Sequence, residues 1–142
     1  MTKDVITIDL RKSVFDAAIL MSEKRIGCLV VMDNEVPIGI VTERDFVRRV
    51  VAKKLSLDAE ISEITSKPLI TIDPDFTLRE AAGVMVENKI RRLPVTEGNK
   101  LVGIIVVSDF ARQLTKKTLT EQYLEAMARH RRHHQSHHRK RL

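Results

Sequence analysis

The chain has 142 residues, of which 43% are apolar, so it suits one globular domain of ordinary size or two half-domains with a shared core. Its net charge of +6 comes entirely from the C-terminal end, because the chain up to Ala128 carries 19 basic and 19 acidic side chains. No apolar run approaches the roughly 20 residues of a membrane-spanning helix, and the N-terminus lacks the apolar stretch of a signal peptide; we therefore expect a cytoplasmic protein without a membrane partner.

An internal repeat organises the chain. Sliding the sequence by 64 positions aligns Val5–Val50 with Leu69–Leu114 without a gap, and 16 of the 46 aligned positions are identical. The identities include the opening Ile-Thr-Ile-Asp and the pairs Gly-Ile and Asp-Phe, which occur once in each copy. Two copies of one supersecondary unit are therefore present, and a unit of this size cannot bury enough apolar surface alone.

Each copy predicts a strand, a helix, two further strands and a second helix. The first helix has one apolar face at the i, i+3, i+4, i+7 spacing, formed by Val14, Ala17, Ala18 and Met21 and by Leu78, Ala81, Ala82 and Met85. Ser13 and Thr77 stand at the N-caps. Turns at Asp33-Asn34 and Glu97-Gly98-Asn99 predict hairpins, and the second helices begin near Thr42 and Ser108. The single cysteine, Cys28, lies in an apolar run that predicts a small buried side chain.

The segment from Gly39 to Asp45 carries the strongest chemical signal, because a strand there passes into a helix N-terminus. Gly39 would let a ligand approach the strand backbone, and the helix amides suit phosphate or sugar oxygens. Asp45 can accept two hydrogen bonds from a cis-diol such as that of ribose. The alternative is a capping box, in which Thr42 and Asp45 serve only to begin the helix.

The second copy bears on that alternative. Asp109 keeps the register of Asp45, but Val106 replaces Thr42, so capping alone does not require an aspartate there. Ser108 can still cap the helix, and both interpretations stay open.

The two copies are joined by a connector that is neither Gly/Ser-rich nor Pro-rich, unlike a flexible linker. We expect Ile61 and Ile64 to anchor it. The predicted limits are residues 1–55 for the first copy, 56–68 for the connector, 69–117 for the second copy and 118–142 for a basic helix or tail.

The C-terminal segment contains all five histidines, with a capping box at Thr118–Glu121 that predicts a last helix. In a continuous helix His130, His134 and His138 lie one turn apart and are the candidates for a shared metal ion, although we expect no metal site in the fold itself. A solvated basic helix, or a contact with nucleic acid through the clustered arginines, are the other interpretations.

The span Val5–Leu114 resembles a pair of CBS domains, the repeats found in cystathionine β-synthase, inosine-monophosphate dehydrogenase and the γ subunit of AMP-activated kinase. The matching parts are the opening Ile-Thr-Ile-Asp, the Ala-Ala…Met helix, Arg91–Val95 and Gly39–Asp45. The resemblance implies a mixed α/β (α+β) fold in which two tandem β-α-β-β-α repeats form one pseudo-twofold module. Many such pairs bind AMP, ADP, ATP or S-adenosylmethionine in clefts between the repeats, and they commonly form homodimers.

Carried over to this chain, the resemblance places Asp45 and Asp109 on ribose hydroxyls and Thr42 on ribose or phosphate. Arg91 and Arg92 would contact phosphate, with a solvated pair at a strand start as the alternative. The opening strands would line the adenine through Ile6, Thr7, Ile8, Ile70, Thr71 and Ile72. The predicted ligand-binding set is completed by Ile40, Ile104 and Ser108.

The copies are not equivalent, because Val106 lacks the hydroxyl of Thr42 and Gly27-Cys28 replace the basic pair Arg91-Arg92. We expect one well-equipped site rather than two, with Thr42, Asp45 and the two arginines as its fullest set. Whether these residues meet in one cleft stays open.

Function follows as an expectation. We expect a regulatory module, with no obligatory cofactor, that senses an adenine nucleotide or S-adenosylmethionine and passes the signal to an unidentified effector protein. We do not expect an enzyme, since the chain up to Ala128 contains no histidine and no convergent acid and base pair. The alternative is a nucleic-acid-binding or scaffolding protein that uses the basic tail and keeps the repeats as structure.

Overall fold

The computed structural model describes residue 1, residues 4–108 and residues 123–129. The first copy consists of β1 (Thr7–Asp9), α1 (Val14–Lys24), β2 (Cys28–Asp33), β3 (Val36–Thr42) and α2 (Glu43–Asp45), and α2 continues as a π-helical segment, Phe46–Val51. The connector contains a 3-10 turn at Ile61–Glu63, and the second copy contributes α3 (Leu78–Glu87), β4 (Arg92–Glu97) and β5 (Lys100–Val106). Residues 107–108 are helical, and a further helix, α4, covers residues 123–129. The mixed α/β fold is confirmed.

The strand pairing repeats with the offset found in the sequence. β1 runs parallel to β2, β2 is antiparallel to β3, and β4 is antiparallel to β5. Leu29 faces Val41 in the first copy as Leu93 faces Ile105 in the second. A register shift follows Val31 and, at the equivalent place in the second copy, Val95. The repeat in the sequence is therefore a repeat of backbone geometry, down to its irregularities.

The opening strand of the second copy is shorter than predicted. In the first copy the amide groups of Val30 and Leu10 extend the β1–β2 ladder at its two ends, with N···O distances of 3.2 and 2.9 Å. In the second copy the ladder shrinks to one bridge at Ile72. The residues equivalent to Val30 and Leu10 are Pro94 and Pro74, which have no N–H to donate. The prediction of a full strand at 70–72 was therefore wrong.

The predicted hairpin turns and the N-caps of the two first helices are confirmed. The N-cap hydroxyl of Ser13 accepts the Asp16 amide at 3.0 Å, and Thr77 forms a capping box with Glu80. Asn34 (φ 58°) and Gly98 (φ 62°) occupy the tips of the two hairpins. Both residue types tolerate the left-handed region, so the turns are specified locally.

The apolar face of each first helix packs on its own sheet. Val14 and Ala17 of α1 are fully buried with Leu29, Val31 and Val41, and Ala81 and Met85 of α3 are fully buried in a second cluster. Ala18, predicted on the same face, is only half-buried. Ile61 and Ile64 of the connector are 0% and 1% exposed and belong to the first cluster, as predicted. Burial of such side chains is worth about 1.5–3 kcal/mol each, so the connector is part of the fold.

α4 packs against α3. Ala126 is buried beside Ala82 and Val86, and Tyr123 packs on the second core. The predicted capping box of this helix and the histidines lie outside the described residues. In the part of the chain that the structure describes, no helix combines the length and the apolar character needed to cross a membrane.

Candidate functional site

A cleft of about 370 Å³ lies between the two copies. From the first copy and the connector it is lined by Gly27, Ile40, Thr42, Glu43, Arg44, Asp45 and Ser66, and from the second copy by Lys89, Ile90, Arg91 and Arg92. The sequence left open whether Thr42 and Asp45 meet the two arginines of the other copy. The fold brings all four residues to one cleft.

Asp45, the third residue of α2, lines the cleft and is 7% exposed. Its Oδ2 accepts the Thr42 backbone N–H at 2.8 Å and the Thr42 hydroxyl at 3.3 Å, in the geometry of a capping box. The capping interpretation therefore describes what Asp45 does in this structure. A carboxylate has about four lone-pair sites, so Asp45 keeps capacity for further donors, and its contact with ribose stays a prediction.

The other oxygen of Asp45 faces the connector. Its Oδ1 lies 3.6 Å from Nε of Arg49 and 3.5 Å from the Ser66 hydroxyl. Arg49 also donates from Nη1 to the carbonyl of Ile64 at 3.3 Å. The Asp45 carboxylate thus joins the start of α2 to the connector, and any ligand that contacts it also touches the element between the two copies.

Gly39 serves a purpose other than the predicted one. An ideal Cβ on Gly39 would overlap Cγ2 of Thr65 and lie 2.6 Å from the carbonyl oxygen of Ser66. Ser66 forms two backbone hydrogen bonds with Ile40, of 3.1 and 2.9 Å. The expectation that Gly39 admits a ligand to the strand backbone was wrong, because the connector occupies that space.

Positive charge dominates the rest of the cleft wall. Arg44, Lys89, Arg91 and Arg92 line it with one further acidic residue, Glu43. Among the described residues, none of these four cations has a carboxylate oxygen within 4.0 Å. Clustered cations without counter-charges favour an anion with several oxygens, and guanidinium groups match the geometry of phosphate.

Cys28, next to Gly27 at the start of β2, is half-buried rather than fully buried as predicted. Burial raises the pKa of its thiol, and the positive charge of Arg92 offsets part of that rise. The thiol is therefore largely protonated at neutral pH, and Arg92 of the second copy lies close enough to act on the first.

The opening-strand residues lie elsewhere. Ile8 is buried in the first core, which Ile6 also contacts, and Ile70 and Ile72 pack against the second. Thr7 lines a separate groove of about 840 Å³, and Thr71 is exposed. The wall of the cleft instead contains the connector residue Ser66. The predicted adenine contacts of the two opening strands stay predictions.

The equivalent position in the second copy holds a smaller cleft of about 130 Å³, lined by Arg91, Arg92, Val106, Val107 and Ser108. Ile104, at the second-copy position of Ile40, is 7% exposed. Asp109 lies outside the described residues, as do His130, His134 and His138. Their predicted roles, and that of the basic tail, stay predictions; within the described ranges no cluster of potential metal ligands occurs.

Several cleft residues were missed by reasoning from the sequence. Lys89 and Ile90 directly precede Arg91, and Arg44 lies between Thr42 and Asp45, so their proximity to the predicted residues was a usable signal. Ser66 had no such signal, because its place depends on how the connector folds back onto β3.

Comparison with known proteins agrees with this architecture. The family model of the CBS domain matches residues 1–52 and 61–116. The CBS domain-containing protein YhcV of Bacillus subtilis is 33% identical over 111 residues, which cover 78% of this chain and 79% of that protein. A CBS-domain protein from Burkholderia ambifaria MC40-6, proposed to act in signal transduction, has a similar structure (TM-score 0.74, 34% identity), with 81% of this chain and 86% of that chain covered.

A hexameric CBS-CP12 protein from bloom-forming cyanobacteria is also similar, with a TM-score of 0.72 and 37% identity over 80% of this chain and 68% of that chain. The matched segments fall on the two copies of the repeat, one on each side of the cleft. The chain therefore belongs to the CBS-domain family and contains a pair of CBS repeats.

Proposed function

We propose that this protein is a regulatory module that binds a phosphorylated adenine nucleotide in the 370 Å³ cleft and passes the signal to a partner protein. The observation that carries the proposal is the meeting of Thr42 and Asp45 from one repeat with Arg91 and Arg92 from the other. A ligand in this cleft is bound by residues of both repeats and by the connector.

The charge of the cleft selects among adenosyl ligands. Four cations face two acidic residues, and one of these, Asp45, is already engaged by Arg49. AMP, ADP and ATP bring phosphate groups that satisfy the cations. S-adenosylmethionine brings a positively charged sulfonium, which this wall repels. We therefore favour the nucleotides over S-adenosylmethionine.

The remaining parts of a nucleotide also find partners. Ile40 and Ile90 supply the apolar surface for the base, since aromatic side chains are absent from the residues that line the cleft. Asp45 and Thr42 lie at the N-terminus of α2, where hydroxyl groups of ribose can share the carboxylate.

Regulation follows from differential binding to two arrangements of the repeats. A ligand that bridges Arg91 and Asp45 favours the arrangement in which the repeats are close. We propose this binding role in place of catalysis, and the effector that reads the arrangement is a separate protein.

Calorimetric titration of ligand-stripped protein tests the proposal. We expect affinity to rise from adenosine through AMP and ADP to ATP, to fall with added salt, and to be lowest for S-adenosylmethionine. Arg91→Gln should weaken ATP binding about tenfold and leave adenosine binding almost unchanged, since a hydrogen bond to a charged group is worth about 1.5–3 kcal/mol. Arg11→Gln, an exposed site outside the cleft, is the matched control. A folded sample that binds none of these ligands would refute the proposal.

We also propose that the chain self-associates as a homodimer. Phe15 and Ile19 of α1 are 50% and 42% exposed, and Val47 and Val51 of the π-helical segment are 63% and 73% exposed. The two residues of each pair are four positions apart and so lie on one face of their helix, and exposed apolar faces mark interaction surfaces. The hexameric relative supports self-association as a property of similar chains.

A further inference from the structure

Gly27 lies directly beneath a charged side chain of the other repeat. An ideal Cβ on Gly27 would lie 2.6 Å from Nη2 of Arg92 and 3.0 Å from Oε1 of Glu43. A side chain at this position would overlap the Arg92 guanidinium and crowd the Glu43 carboxylate. The guanidinium of the second repeat and the carboxylate of the first therefore converge on the bare backbone of Gly27, at the wall of the cleft.

The second repeat shows that the backbone does not require glycine here. The residue equivalent to Gly27 is Arg91, which carries a long side chain. The backbone hydrogen bond from the Glu43 amide to the Gly27 carbonyl (3.1 Å) has its counterpart from Val107 to Arg91 (3.0 Å). Gly27 is also not among the residues with positive φ. Glycine is needed only for the close approach of Arg92.

We propose that Gly27 is a positioning residue, which holds the Arg92 guanidinium against the first repeat for contact with a ligand phosphate, and that Glu43 is a nearby negative charge that repels the same phosphate. This inference rests on the proposed nucleotide site. The Arg92 charge also lowers the pKa of the Cys28 thiol, which agrees with a position of the guanidinium near the start of β2.

The position of the Arg92 guanidinium beside Gly27 and Glu43 has two consequences for ligand specificity. A guanidinium that is already held in place loses less conformational freedom when phosphate binds. Glu43 repels the same phosphate, and this repulsion grows with the negative charge of the ligand. Arg92 therefore favours phosphorylated ligands, and Glu43 limits how far affinity rises with the number of phosphates.

The test compares two glycine-to-alanine variants by calorimetric titration with ATP and with adenosine. Gly27→Ala moves the end of a flexible side chain, so the protein should still fold. It should weaken ATP binding about fivefold to tenfold, the loss of part of a charge-assisted hydrogen bond, without changing adenosine binding. Gly83→Ala, whose added methyl meets no atom within 4 Å, is the control and should change neither. Unchanged ATP binding by Gly27→Ala, or equal losses for ATP and adenosine, would overturn the inference.

Glu43→Gln gives a change in the opposite direction. It should tighten ATP binding more than AMP binding, and so raise the ratio between ATP and AMP affinities, because the repelling negative charge is gone. A variant that binds ATP more weakly than the wild type would contradict the role of Glu43.

A readout without ligand separates this inference from the proposed function. Arg92→Gln should raise the pKa of the Cys28 thiol, measured from the pH dependence of its alkylation, because the offsetting positive charge is lost. Gly27→Ala should also raise it, but should have no further effect in the Arg92→Gln background. If nucleotides do not bind and this pattern still holds, the proposed function fails, but the positioning of Arg92 by Gly27 is supported. Additive effects of the two substitutions on the pKa of the Cys28 thiol would refute the positioning of Arg92 by Gly27.

Discussion

Replacing Gly39 by alanine tests how tightly the connector packs on β3. The added methyl overlaps Thr65 and lies 2.6 Å from the carbonyl oxygen of Ser66. Ser66 cannot retreat without stretching its two backbone hydrogen bonds to Ile40. Those bonds are worth about 1 kcal/mol each, and overpacking adds about 1–3 kcal/mol. Alanine also lowers the conformational entropy of the unfolded chain, which offsets about 0.5–1 kcal/mol of this loss. We therefore expect a net decrease of about 2–4 kcal/mol in the free energy of unfolding.

Urea unfolding followed by circular dichroism measures this loss. Gly83→Ala is the matched control, and it should stabilise the protein by about 0.5–1 kcal/mol, because alanine favours helix and its methyl meets nothing. Thr65→Ser removes the overlapped methyl and should restore part of the stability when combined with Gly39→Ala. A Gly39→Ala protein as stable as the wild type would refute the packing of the connector at this position.

Three further predictions follow from the same structure. Asp45→Ala should cost about 1–2 kcal/mol of stability in urea unfolding, because the Thr42 amide loses its capping acceptor; an unchanged midpoint would contradict the cap. Burial raises the pKa of the Cys28 thiol in the folded state. The contribution of this thiol to the free energy of unfolding is therefore fully present below its unfolded pKa of about 8.5 and is lost as pH rises through the folded pKa. Cys28→Ser should remove that part of the pH dependence of thermal unfolding, and an unchanged slope at pH values above the unfolded pKa would argue against it. Val47→Glu should lower the molar mass measured by light scattering, whereas Lys53→Glu, also exposed, should not; equal masses would exclude the apolar surface as the dimer contact.

Local patterns in the sequence predicted most of the fold. Ser13 and Thr77 set the helix starts, and the hairpin turns are specified by residues such as Asn34 and Gly98 that tolerate positive φ. The repeat predicted two like units because the side chains that define the unit recur at equivalent places in the second copy. These features depend on neighbours in the chain, so they are readable without the tertiary structure.

The shortened opening strand of the second copy could also have been predicted from the sequence, but it was missed. The identical Ile-Thr-Ile-Asp segments predicted identical strands, yet the donors that extend the strand belong partly to its neighbour. Pro74 ends the segment, and Pro94 stands in the partner strand. Comparing the partner strands as well as the segments themselves would have shown that two hydrogen bonds are lost.

The cleft depended on contacts that no local pattern encodes. Thr42 and Asp45 were identified as candidates, but their meeting with Arg91 and Arg92 requires the packing of one repeat on the other. Gly39 was assigned to the ligand, because the sequence does not show that residues of the connector return to cover it. Gly27 was noted only as a departure from the basic pair, although its lack of a side chain is what brings Arg92 to the first repeat.

The stoichiometry of nucleotide binding tests the central claim most directly, because the two clefts differ in volume and in their side chains. Titration of ligand-stripped protein with ATP should show one nucleotide bound per chain, and Arg91→Gln should weaken that single event. Two equivalent binding events per chain, or none by a folded sample, would contradict a single nucleotide site between the CBS repeats.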